Sequence, residues 1–229
     1  MSRDPNDMVD PNGNGAAKPS DRSQVAMLQA MLKKRPPEGE TCDFCSTPVG
    51  HEHSHLIELA ARRIMCACRP CFIVFEPSGA AQGKYRAIRD RVREIANFGL
   101  EDGQWESLQI PIGLVFFFFN SLENRMCAFY PSPAGATESL LPLDTWDEIV
   151  TKFPQIAALL PDVEAVLVQR NRETSRAYVI PIDTAYELVG LIRMYWKGFD
   201  GGTEAHQKIE EYFSRLAERA RGRVTARLS

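Results

Sequence analysis

Residues 42–71 read CDFCSTPVGHEHSHLIELAARRIMCACRPC. Cys42-x2-Cys45 opens the stretch, Cys68-x2-Cys71 closes it, and 22 residues lie between the pairs. A Cys-x2-Cys loop turns two thiolates toward one point, about 2.3 Å from a zinc ion, and two such loops complete a tetrahedron. The interval suits a strand–turn–strand that carries the second loop back to the first. His55–Leu59 and Ile64–Met65 are apolar runs flanking a turn at Ala60–Arg63, and Phe72-Ile73-Val74-Phe75 reads as a third strand ended by Pro77-Ser78-Gly79. Residues 40–76 are therefore expected to form a small zinc-ribbon-like module, with Zn2+ held by Cys42, Cys45, Cys68 and Cys71. Iron in a rubredoxin-like centre needs the same four thiolates and is the alternative. Zinc is preferred because the sequence offers no other redox element.

Other residues in and near the module carry chemistry of their own. Cys66 could replace Cys68 as a ligand, stand beside the metal as a free thiol, or be an inward-facing strand residue. His51, His53 and His55 alternate, so an extended chain puts them on one face, where they could hold a second metal or lend an auxiliary ligand. The plainer reading, preferred from sequence, is a polar loop entering a strand. Cys68-Arg69-Pro70-Cys71 also resembles a thioredoxin-type dithiol, which sits at a strand-to-helix junction. The strand expected at Phe72–Phe75 speaks against that. Cys127 lies inside an expected strand and reads as core, and His206 as a surface helix residue.

Outward from the cysteines, residues 1–22 are rich in Asp, Asn, Pro, Gly and Ser and are expected to be a disordered tail. Ser23–Lys34 spaces Val25, Leu28 and Leu32 as a short amphipathic helix within residues 23–35, stopped by Arg35-Pro36-Pro37. Residues 80–221 read as an α+β domain with a mainly antiparallel sheet, followed by a flexible C-terminus over 222–229. Residues 80–98 are ambiguous. Trp105 and Leu108 suggest a short helix. Ile112–Phe119, with four consecutive Phe, is apolar at every position and is expected to be a central strand buried on both faces, returning antiparallel through Met126–Tyr130. Thr145 with Glu148, and Thr184 with Glu187, are capping-box patterns ahead of two helices. Val163–Gln169 and Tyr178–Ile182 read as a strand pair. A last helix spans about Glu204–Arg221, with Ile209, Phe213, Leu216 and Ala220 on one face and Glu211 spaced to pair with Arg215. Elements of mixed order favour α+β over a doubly wound sheet.

Composition narrows the function classes. The 229 residues are 44% hydrophobic and 25% charged, with a formal net charge of -3. That balance supplies no electrostatic reason for a nucleic-acid partner. No apolar run approaches the roughly 18–20 residues a membrane span needs. The N-terminus lacks the apolar stretch of a secretory signal, so the expected location is the cytoplasm, where clustered cysteines point to metal rather than disulfides. There is no P-loop, GxGxxG, HExxH or Gly-x-Ser-x-Gly pattern. The small-residue segment Pro131–Ser139 could bind a ligand through its backbone or be a simple connection.

The cysteine module, Tyr130–Leu141 and Pro181–Gly198 together resemble an uncharacterised bacterial family of unknown function, over about Thr41–Ala220. Its members are typically encoded beside nickel–iron hydrogenase genes of the actinobacterial type. The resemblance implies a role near hydrogenase assembly or operation and transfers no catalytic residue. The expectation is a non-enzymatic, zinc-binding accessory protein whose protein partner is a hydrogenase subunit or maturation factor. The alternative is a metal-handling or thiol-redox protein using Cys66 with His53 or His55, and a third reading places an enzyme pocket beside Pro131–Ser139.

Overall fold

The computed structural model describes residues 39–107, 110, 112–139, 143–171, 174–198 and 200–225. The expected N-terminal tail and the Ser23–Lys34 helix lie outside the described residues, as do residues 226–229 of the expected C-terminal segment. In chain order the elements are β1 (Ser54–Glu58), β2 (Arg63–Ala67), α1 (Arg69–Phe75), β3 (Tyr85–Ile88), β4 (Arg93–Glu94), α2 (Asp102–Ser107), β5 (Leu114–Asn120), β6 (Arg125–Ser132), β7 (Gly135–Ser139), α3 (Leu143–Lys152), α4 (Pro154–Ala157), β8 (Glu164–Arg170), β9 (Ser175–Pro181), α5 (Ile182–Tyr195) and α6 (Gly202–Thr225). The architecture is α+β, and both sheets are antiparallel throughout.

Successive side chains of a strand point to opposite faces, so a run that is apolar at every position must be covered on both. β5 obeys this. It lies inside a six-stranded sheet of order β4-β9-β8-β5-β6-β7. Leu114, Phe116 and Phe118 face one way and pack with α5 and α6 through Leu188, Ile192, Ile209, Phe213 and Leu216. Val115 and Phe117 face the other way, against Phe98, Ile149, Phe153 and Ile156. Phe116 stacks on Phe129 of the neighbouring strand at 5.8 Å, and Phe118 on the same ring at 5.6 Å. Cys127, opposite Phe118, is buried core, as its strand position implied.

A second, three-stranded sheet has the order β2-β1-β3. Its third strand comes from residues 85–88, inside the stretch whose sequence was ambiguous. Register sorts its faces. Leu56, Met65 and Ala87 share one, while His55, Ile57, Ile64, Cys66 and Ile88 share the other. Ile57 and Ile88 join the large core, whereas Leu56 and Ala67 form a small core with Phe72. Two ion pairs tie this segment to the large sheet. Arg86 donates to Asp162 at 2.5 Å, and Arg91 donates twice to the buried Glu164 at 2.9 and 2.6 Å.

Two local expectations are corrected. α3 starts at Leu143 and α5 at Ile182, so Thr145 and Thr184 lie within helices rather than capping them. Pro181 precedes α5, and Asp183 in the first turn accepts the Thr184 N–H at 2.7 Å. Pro131–Ser139, read from sequence as a ligand loop or a simple connection, forms a β-hairpin, with Ser132 paired to Gly135 and Pro131 to Ala136. Arg215 pairs with Glu187 on α5 and Glu211 with Lys208, because an inter-helix partner lies within reach of the guanidinium.

Truncating Phe116→Ala should lower stability to urea by about 3–5 kcal/mol, the range for deleting a fully buried aromatic ring. Gly113→Ala should also destabilise, since a Cβ there would sit 2.2 Å from the Arg170 carbonyl oxygen. Ile73→Ala, at a position 53% exposed, serves as the control and should change little.

Candidate metal centre

The first cysteine pair sits in a tight turn built by backbone hydrogen bonds. The Cys42 N–H donates to Thr47 O at 2.9 Å, and the Ser46 N–H returns to Cys42 O at 2.8 Å. Ser46 takes the left-handed conformation, with φ 58°, that closes such a turn. Cys42 is buried, and Cys45 stands at the surface.

The second pair is presented differently from the expectation. β2 ends at Ala67, and Cys68 is the extended residue that caps α1. Proline follows within the first helical turn, where its missing N–H costs nothing. Phe72–Phe75, expected as a strand, is therefore helical. The exposure pattern agrees with a helix: Phe72 is buried and Phe75 half-buried, while Ile73 and Val74 are 53% and 63% exposed. Four apolar residues in a row carry no period that separates strand from helix. Cys68 and Cys71, three residues apart, share one face of the helix start.

These two presentations converge. The Sγ atoms of Cys42, Cys45, Cys68 and Cys71 all lie within 4.8 Å of one another, and Cys45 Sγ is 3.6 Å from Cys68 Sγ. Bonds of about 2.3 Å to a tetrahedral zinc place sulfurs roughly 3.8 Å apart, so four thiolates so arranged can hold one metal ion. All six cysteines are free thiols. Asp43 locks the turn to the hairpin, its Oδ2 accepting the Cys66 N–H at 2.6 Å and its own N–H donating to Cys66 O at 2.9 Å. Phe44, next in the turn, stacks on Phe75 of α1 at 4.5 Å and meets Tyr85 of β3 edge-on at 5.3 Å.

The thiols share protons unequally. Hydrogen bonding from Thr47, whose hydroxyl lies 3.3 Å away, brings Cys45 down to about 6. Burial raises Cys42, but backbone N–H groups of Cys68, Phe44 and Cys45 outweigh it and hold the thiol below its usual value. The contact with Cys68, then desolvation and the other two sulfurs, pushes Cys71 up to about 12. The Cys71 backbone N–H pulls Cys68 down, yet desolvation and the Cys45 sulfur leave it raised. The helix after Cys71 removes the ground on which sequence spoke against a thioredoxin-type dithiol.

Cys66 stays out of the four-sulfur cluster. It faces the opposite side of the small sheet, directly across from His55. Burial first, then the negative charges of Glu40, Asp43 and Cys42, pushes its thiol up. His53, His55 and Cys66 form a second gathering, their ligating atoms within 4.8 Å of one another. His51 does not join it and is exposed. His206 is exposed on α6, as expected. Asp183, on α5, accepts a hydrogen bond from His55 Nδ1 at 2.8 Å. It is 128 residues away in sequence, and nothing local marked it.

In protein stripped of metal at neutral pH, iodoacetamide should alkylate Cys45 first among the four and Cys71 last, read by peptide mass spectrometry. The Cys45 rate should climb as pH rises through about 6, where its thiolate forms. Equal rates for all four would contradict this electrostatic ordering.

No curated protein and no solved structure matches the chain. A family model does, over residues 41–220, from the residue before Cys42 to the last buried turn of α6. The match takes in the four cysteines, the second gathering and both sheets together, and on that extent the chain belongs to the family of unknown function DUF5947.

Proposed function

We propose that this protein is a zinc-binding accessory protein in which Cys42, Cys45, Cys68 and Cys71 hold one structural Zn2+. The observation that carries the reading is the convergence of four sulfurs from two separate backbone turns. The donor set supports a structural ion, since four thiolates close a tetrahedron and leave no position for a substrate, and zinc is preferred to iron because the sequence offers no other redox element. Energetics support a structural role. The small core rests on Leu56, Ala67 and Phe72, with Phe44, Phe75, Tyr85 and Ala87 partly buried against it, a modest apolar area to which a cross-link between turn and helix adds. Closing the site supplies further folding free energy.

The accessory reading rests on surface chemistry. α1 carries its metal-facing cysteines at one end and leaves Ile73 and Val74 largely exposed on its outer side. Two branched apolar side chains on a rigid, metal-stapled helix make a contact site for another protein. The partner proposed is a hydrogenase subunit or maturation factor, on the resemblance set out above. The second gathering around Cys66 favours a further reading, that the protein also handles a metal ion.

Protein purified without added metal should retain one zinc per chain after dialysis against EDTA, by elemental analysis. Cys45→Ser should lose that zinc and lower the thermal midpoint. A Cys45→Ser variant with full zinc content and unchanged stability would falsify the assignment. Replacing Ile73 and Val74 together by Glu should leave zinc in place and abolish co-purification of a hydrogenase partner; undiminished co-purification removes the α1 surface from the proposal.

A further inference from the structure

We infer that His53, His55 and Cys66 form a second metal site, an exchangeable one for zinc, with three protein ligands and a fourth position open to solvent. The four-thiolate cluster shares none of these residues, so the inference does not depend on it.

The geometry begins with register. β1 and β2 pair so that His55 stands directly opposite Cys66, on the face of the small sheet turned toward the large core. Residues two apart on an extended chain share a face, which brings His53 to the same side. Its ring lies 4.5 Å from that of His55, centroid to centroid. One ligating atom from each of the three residues falls within a 4.8 Å span, the spacing that a single cation needs.

Tautomers then select the donor atoms. His53 Nδ1 is 2.8 Å from Gly50 O, and a carbonyl oxygen only accepts, so Nδ1 carries the proton. His55 Nδ1 is 2.8 Å from the Asp183 carboxylate, with the same consequence. Both rings therefore keep the lone pair on Nε2. This is how metal-binding imidazoles are usually held: one nitrogen is tied to a carbonyl or carboxylate, and the other is free for the ion. The His53 side chain is only 6% exposed, and its buried Nε2 has no hydrogen-bond partner among the described residues. Such an atom is costly unless something binds it. A cation at the gathering satisfies it.

The ligand set chooses the ion. Two imidazoles and one thiolate suit a borderline divalent metal, and three protein ligands leave one tetrahedral position for water or a small ligand. The His55 side chain keeps 26% of its surface exposed, which provides the route in and out. An ion so held exchanges, unlike one closed in by four thiolates. Asp183 is a positioning residue: one carboxylate oxygen accepts the Thr184 N–H, the other holds His55, and it acts on the metal through that ring.

The test uses the full chain with its EDTA-resistant zinc in place, titrated with cobalt(II) in the absence of thiol reductants. The expected result is one added equivalent, with visible bands of tetrahedral cobalt and a single-thiolate charge-transfer band. Cys66→Ser and His55→Ala should each remove that signal while far-UV circular dichroism and the retained zinc stay unchanged. Asp183→Ala should weaken cobalt binding by about 10- to 100-fold without changing the band positions. Three outcomes overturn the proposal: no cobalt bound by the wild type, a signal that survives in the Cys66→Ser/His55→Ala double variant, or a signal abolished by Cys45→Ser but not by His55→Ala. The last would place cobalt in the four-thiolate cluster. If no zinc resists EDTA, yet cobalt binding still requires His55 and Cys66, the four-thiolate reading fails and this one stands.

Discussion

Four thiols within 4.8 Å of one another cannot all ionise side by side without a cation to offset their repulsion. That constraint organises the N-terminal part of the described chain. The proton distribution displays it, with Cys45 acidic and Cys71 pushed the other way. A divalent ion reverses the balance, because binding releases protons and turns mutual repulsion into four attractive bonds. An ion there would tie the turn at Cys42–Cys45 to α1, which the contacts among the Phe44, Phe75 and Tyr85 rings already link to β3.

The large sheet needs no such device. Its central strand is covered on both faces by separate layers, and hydrophobic burial on that scale is the ordinary source of stability. The two sheets meet through Ile57 and Ile88, which reach into the large core, and through Arg86 and Arg91, which pair with Asp162 and Glu164. Asp162 and Glu164 are buried, so each depends on its partner; an unpaired carboxylate there would carry the full cost of desolvation. The half that carries the cysteine cluster is thus anchored to the rest by both packing and charge.

His55 stands at that junction. It belongs to the small sheet, while Asp183, which orients it, opens a helix that packs on the large one. The two cysteine-containing gatherings lie on opposite faces of the same hairpin and differ in kind. One offers sulfur alone, enough to close a tetrahedron round an ion; the other offers two imidazoles and one thiol, which would leave room for a fourth ligand. A closed site suits a staple, and an open one suits an ion that comes and goes.

The Cys-x2-Cys spacing made the gathering of four sulfurs legible from the residues alone, since few needs other than a metal place thiols three residues apart at both ends of a hairpin. The four-Phe strand was equally plain, because a run apolar at every position demands cover on both faces, and the alternating and helical periods around it implied α+β. Local sequence could not decide whether Phe72–Phe75 was strand or helix, as an unbroken apolar run has no period. It could not separate the true helix starts from the Thr145 and Thr184 patterns, nor supply Tyr85–Ile88 as the third strand of the small sheet. It offered Cys66 with His53 or His55 only as an alternative, and it could not bring Asp183 to His55 at all. Those contacts depend on strand register and helix docking across many residues, and only tertiary structure sets distances between groups so far apart along the chain.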